Sequence, residues 1–250
     1  MNEEELCETA VIIGKKIIQY GGELYRAEES ITRICAAYGH STAEVFAIPS
    51  YITASVYRDG DSQITRIISV PDEEANLDRV GEYNALCRRM CCDKLSYDTV
   101  LGEIERIENR PVYGNGIQLA GYLAVGFSFA VFYGGDDLSA IFAAAAAGII
   151  FFMTKLTDRL RGGVFFRNTL CSAAAALFAL TLYHLGIDYS YDKTITGAIM
   201  TMVPGVSITN CMRNFISGDL LSGLYTMAEA FTSAVGLAVG AGSVMSFFGV

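Results

Sequence analysis

The sequence predicts an α+β domain, ordered ααβββαα, followed by an all-α membrane domain of five transmembrane helices. Three observations predict it. The 250 residues are 52% hydrophobic and only 18% charged, more apolar than an ordinary soluble domain. The charges are unevenly placed: residues 1–116 hold 12 of the 18 Lys/Arg and 20 of the 27 Asp/Glu, a local net charge of −8. The rest of the chain carries six Lys/Arg and seven Asp/Glu and contains five uncharged runs of 17 to 21 residues. About 20 residues of helix cross a hydrocarbon core ~30 Å thick. The domains are therefore read as 1–115 and 116–250.

Composition also excludes several classes. A net charge of −9, a pI near 4.7 and the lack of a Lys/Arg run argue against nucleic acid, since phosphate binding needs clustered cations. Seven irregularly placed cysteines do not form a disulfide framework. The partner that the composition demands is a lipid bilayer.

In chain order, Leu6, Ala10, Ile13 and Ile17 recur at helical spacing, and Leu24, Ala27, Ile31, Ile34 and Tyr38 resume it after Gly21-Gly22. Two amphipathic helices open the chain. From Ala43 the pattern turns β-branched and aromatic: AEVFAI, YITASVYR and QITRIISV read as three short strands, with Pro49 and Asp59-Gly60-Asp61 as turns. Helical spacing returns in Leu77, Val80, Asn84, Cys87 and Cys91, and again in Tyr97, Val100, Ile104 and Ile107. Pro111 then stops the last helix of the domain.

This domain shows no catalytic constellation. There is no phosphate loop, HExxH, nucleophile elbow or dinucleotide fingerprint, and His40 and His184 are the two histidines. Cys87, Cys91 and Cys92 share one helix, but no second pair or nearby histidine completes a site, so they read as small buried hydrophobes. No cofactor and no metal ion are expected. Arg26 and Glu28 in GGELYRAEES are candidate binding residues; two positions apart, they project to different sides and call for separate partners.

The membrane windows are Gly116 to Gly135, Leu138 to Thr154, Asn168 to Ile187, Thr194 to Met212 and Ala230 to Val250. Small residues crowd them: Ala143 to Ala147, Ala173 to Ala176, and Gly236 and Gly240 four apart, faces that let helix backbones approach closely. Cations set the orientation. With the first domain cytoplasmic, 17 Lys/Arg lie inside and Lys193 alone lies outside, which puts the N-terminus in the cytoplasm and the C-terminus outside. The acidic start MNEEELCE is not a cleaved signal peptide, so the first span directs insertion.

Candidate site residues lie where polarity is costly in lipid. Pro204-Gly205 interrupts the fourth window, removing a backbone hydrogen bond in mid-span. Around it Thr201, Ser207, Thr209 and Asn210 offer neutral polar groups suited to a small zwitterion or carboxylate. Arg213 and Asp219 follow near the cytoplasmic end, where snorkelling or a paired gate explains them. Glu229 lies ten residues past Asp219, about 15 Å along a continuous helix and one-third to halfway across the membrane. A charge at a helix centre costs about 2.5 to 3.5 kcal/mol. A structural hydrogen bond and proton coupling both explain why Glu229 is there.

The order of GGELYRAEESITRI, IPSYITASV, EANLDRVGEYNAL and PGVSITNCMRNFISGDLLSGLYTMAEA resembles the threonine/serine exporter family, in its N-terminal half. The most specific part is the series Pro204, Gly205, Asn210, Arg213, Gly218, Asp219, Ser222, Gly223, Glu229 and Ala230; this chain has Asn214 where the family often has Asp. The resemblance implies export of a small-molecule substrate across the bacterial plasma membrane, driven by the proton motive force. It also implies a second, smaller membrane subunit that completes the exporter, and a substrate that is threonine, serine or a succinate-like dicarboxylate.

Two other readings fit the composition. One is a membrane-anchored enzyme or small-molecule sensor, against which the missing catalytic constellation speaks. The other is an assembly or regulatory subunit beside a pathway formed elsewhere.

Overall fold

A computed structural model describes residues 1–39, 43–57, 63–71, 75–159 and 162–250. The turn expected at Asp59-Gly60-Asp61, His40 and Arg161 lie outside the described residues. Two compact units are present. The first comprises Met1–Pro111 and Asn210–Tyr225, the second Val112–Thr209 and Thr226–Val250. The first unit thus takes in a segment from far along the chain.

It begins with α1 (Glu3–Gln19), started by a reciprocal capping box: Asn2 Oδ1 accepts from Glu5 N and Glu5 Oε2 accepts from Asn2 N, each at 2.8 Å. Gly21 (φ 85°) ends the helix in a conformation that glycine adopts without strain. A Cβ on Gly22 would stand 2.6 Å from the Ile17 carbonyl oxygen. The chain therefore turns at once into α2 (Leu24–Ala37).

Strands β1 (Ala43–Ile48), β2 (Tyr51–Tyr57) and β3 (Gln63–Ser69) form an antiparallel sheet in that order, with Val45 opposite Ala54 and Ala54 opposite Arg66. Alternation along β2 buries Ile52, Ala54 and Val56. Helices α3 (Leu77–Asp93) and α4 (Tyr97–Glu108) follow. One core joins Leu6, Ile13 and Ile17 of α1 to Ile31 and Ile34 of α2, the inner sheet face, and Tyr83, Leu86 and Met90 of α3. On α3 the buried face holds Tyr83 rather than the expected Asn84, and Cys87 is buried while Cys91 is half-buried and Cys92 exposed. Cys92 thus departs from its expected core position, because it follows Cys91 by one residue and turns outward.

At the end of α4 the Glu108 carboxylate accepts from Lys16 Nζ at 2.7 Å, Tyr20 OH at 2.9 Å and Tyr83 OH at 2.5 Å. Arg79 adds bonds to Tyr20 OH at 2.6 Å and to the Glu108 carbonyl at 3.0 Å. An acid at a helix C-terminus opposes the macrodipole. Here donors from α1 and α3 compensate it.

The second unit contains α5 (Asn115–Phe132), α6 (Asp137–Arg159), α7 (Val164–His184) and α8 (Tyr191–Ile199), which tightens into a 3₁₀ turn at Met200–Met202. Helices α9 (Gly205–Ile216) and α10 (Leu220–Phe248) complete the chain; residues 210–225 of this stretch belong to the first unit and the rest to the second. Small residues set the packing. A Cβ on Gly126 of α5 would lie 2.7 Å from the Ala143 carbonyl of α6, and one on Gly197 of α8 would lie 2.8 Å from the Gly126 carbonyl. Polar ties cross the same faces: Thr194 Oγ1 donates to the Ser139 carbonyl at 3.0 Å.

Four helices, α5, α6, α7 and α10, are long and apolar enough to cross a membrane. The bent pair formed by α8 with its 3₁₀ turn and α9 makes a fifth if it is one span. Only 11% of the α5 span is buried. A helix that turns so much apolar surface outward needs lipid as its solvent, and the chain is membrane-embedded.

Candidate functional site

The break comes where Pro204 has no N–H to donate. Val203 is extended (φ −65°, ψ 129°), and the Pro204 carbonyl accepts from Ile208 N at 3.0 Å, opening α9. The two helical pieces meet at a bend of 59°. Of the polar groups expected to line this break, Thr201 and Thr209 direct their hydroxyls to their own helices, bonding the Ala198 and Gly205 carbonyls at 2.9 Å each. Each keeps lone pairs to accept with, but neither donates outward. Ser207 and Asn210 are half-buried.

Beyond the break, charged side chains converge within the first unit. Glu23 is the N-cap residue of α2, placed there by the Gly21-Gly22 turn. Its carboxylate pairs with Arg26 Nε on the next turn and with an Arg213 guanidinium nitrogen from α9. The acid is mostly covered, with 17% of its side chain exposed, whereas Arg26 and Arg213 are 51% and 44% exposed. Partly exposed ion pairs are worth about 0–1 kcal/mol. The guanidiniums can therefore exchange Glu23 for another carboxylate at little cost.

Arg26 and Glu28 have separate partners. Glu28 accepts from the Ala47 N–H of β1 at 2.9 Å. Burial pushes its carboxyl above the ordinary range; the Ala47 N–H draws it back and the negative Asp219 pushes it further up. Asp219 follows Gly218 (φ 86°), which ends α9, and it caps α10 by accepting from Ser222 N at 3.1 Å. Two cations and three acids, Arg26, Arg213, Glu23, Glu28 and Asp219, thus belong to one unit. That mixture suits a solute carrying a carboxylate, an ammonium or both.

Glu23 was not singled out from the sequence, because an acid beside a helix start reads as a partner of the helix dipole. Its position in GGELYRAEES, one residue after the Gly-Gly turn, was the available signal. Glu229, half-buried, lies in the second unit on an α10 that is unbroken from Leu220, ten residues past Asp219. Among the described residues, no group of His, Cys, Asp and Glu is placed to hold a metal ion.

The family model described as "Putative threonine/serine exporter" matches residues 8–248. A Mycobacterium tuberculosis protein named "Probable threonine/serine exporter" is 22% identical over 194 residues, covering 77% of this chain and 36% of its own length. The chain thus spans about a third of that relative. No solved structure gives a significant match. With the match extending over both units, the chain belongs to the threonine/serine exporter family.

Proposed function

We propose that this chain is a subunit of a proton-coupled secondary exporter for small polar metabolites, threonine/serine or a succinate-like dicarboxylate, in a bacterial plasma membrane. The observation that carries the reading is the charged cluster in which Glu23, Arg26 and Glu28 at the start of α2 gather with Arg213 and Asp219, which flank the turn after a broken apolar span.

The first unit faces the cytoplasm, as the cation distribution supports, and the C-terminus lies outside. Arg213 and Arg26 receive the solute's carboxylate by exchange with Glu23, and Glu23, Glu28 and Asp219 receive an ammonium when there is one. The solute then meets the break at Pro204-Gly205, where Thr201, Ser207 and Asn210 take over polar contacts and the α9 N-terminus favours negative charge. Glu229 couples the passage to protons by binding one from outside and releasing it inside. A second, smaller membrane subunit completes the path.

Efflux of labelled threonine and of labelled succinate from cells expressing the chain with its partner tests the reading. Loss of efflux of one solute on deleting the chain, restored by the wild type and reduced about tenfold in Arg213→Gln, is the expected result, the size of one charged hydrogen-bond pair. Efflux of both solutes that is indifferent to the deletion refutes it.

A further inference from the structure

The seam between α7 and α10 carries a polar group that the exporter reading has not used. Thr226, Glu229, Ser233, Gly236 and Gly240 recur on α10 at spacings of three and four, one continuous helical face. Its later part packs on α7: a Cβ on Gly236 would stand 2.9 Å from the Phe165 carbonyl and 3.2 Å from Asn168 Cβ, and one on Gly240 would strike Ser172 and Thr169. The two helices therefore run parallel, with Ser233 and Gly236 level with Asn168.

Asn168 is 1% exposed. Its amide nitrogen donates to Ser233 Oγ at 2.6 Å and to the Ser233 carbonyl at 3.2 Å. A backbone carbonyl only accepts, which fixes the nitrogen on that side and the oxygen on the other. That oxygen, Oδ1, is buried and has no hydrogen-bond partner among the described residues. A buried acceptor without a donor is costly, and an apolar side chain of similar size would avoid the penalty. Intramembrane polar groups of this kind mark solute or proton paths. The stripe of small residues brings the helices together; the orphaned oxygen, turned away from Ser233, is left to accept from a donor outside this helix pair.

We propose that Asn168 is a specificity-determining residue of the solute path, its Oδ1 accepting a hydrogen bond from an N–H or O–H donor of the passing solute. An ammonium-bearing solute satisfies it. A dicarboxylate dianion brings no donor and leaves it unpaired. The inference rests on the exporter reading and adds to it a residue and a solute preference.

The test is the ratio of L-threonine to succinate flux, measured on the same inside-out vesicles containing the complete exporter at neutral pH. The amount of folded protein cancels in that ratio. Wild type is expected to favour threonine, and Asn168→Leu to lower the ratio about tenfold. Where the wild type moves threonine alone, the same factor is read as a rise in the threonine KM. Ser233→Ala, which removes the shorter of the two bonds that hold the amide and leaves the one to the backbone carbonyl, lowers the ratio by a smaller factor and decides the matter if Asn168→Leu does not fold. Transport with an unchanged ratio in both variants, or a wild type that prefers succinate, overturns the role of Asn168 and leaves the exporter reading standing. A wild type that moves neither solute removes the exporter reading, and the inference falls with it.

Discussion

Glu23 receives two guanidiniums, Arg26 from its own helix and Arg213 from α9, and so ties α2 to the segment after the broken span. Because the pair is partly exposed, Glu23→Gln is expected to change the unfolding midpoint by no more than about 3 °C, within about 1 kcal/mol, while export falls several-fold. A melting curve and a flux assay on the same preparation check both. Glu108 behaves oppositely. Burial raises its carboxyl, yet the bonds from Lys16, Tyr83 and Tyr20 win and hold it below the ordinary 4.5. A depressed acid stabilises the fold above its unfolded pKa and loses that stabilisation as pH falls through the folded value. Glu108→Gln should therefore melt a few degrees lower than wild type at pH 7, with the gap closing in strongly acidic buffer. Glu28, raised by burial, has the reverse sign: Glu28→Gln should be neutral or stabilising at pH 7, and any gain should vanish as acid protonates the wild-type carboxyl. Arg213 and Asp219 were legible as charges placed after an interrupted apolar run. The partner of Arg213 was not, since a tertiary ion pair between distant residues leaves no periodic mark on either segment.

At the scale of elements, the amphipathic helices and β-branched strands of the first unit follow their periodicity, because one buried face per element writes a period into the sequence. The spans follow less closely. A window of uncharged residues opens the last span at Ala230, whereas α10 starts at Leu220 and carries Glu229 inside it. Caps set helix ends, and a single acid facing protein or water does not break a helix. The hydroxyls around the Pro204 break show a similar limit: Thr201 and Thr209 are the right residue types, but a helical threonine bonds the carbonyl one turn back. Gly197 offers the sharpest packing test. A Cβ there meets the Ala130 nitrogen and Gly126 carbonyl at 2.8 Å, backbone on backbone, so Gly197→Leu should lower the melting midpoint in detergent by several degrees, an overpacking penalty of roughly 1–3 kcal/mol or more. An unchanged midpoint would mean that α5 and α8 do not pack at that glycine. Pro204→Ala restores an N–H and should leave stability unchanged or higher while slowing export, as a continuous helix replaces the bend.

For the whole molecule, a soluble-looking acidic half and an apolar half belong to one family match, and the chain spans about a third of its Mycobacterium tuberculosis relative. The division into a charged front and an apolar back was plain from the count of charges. That residues 210–225 group with the front was not, since their composition is that of a membrane flank. The proposal for the whole is that solute leaves as protons enter, with Glu229 as the coupling acid. Inside-out vesicles carrying the complete exporter, with the lumen made acidic, measure this directly by accumulation of labelled threonine or succinate. The account predicts accumulation that rises with the imposed pH difference in the wild type and loses that dependence in Glu229→Gln. Accumulation indifferent to the gradient in the wild type, or an unaltered gradient dependence in Glu229→Gln, would contradict it.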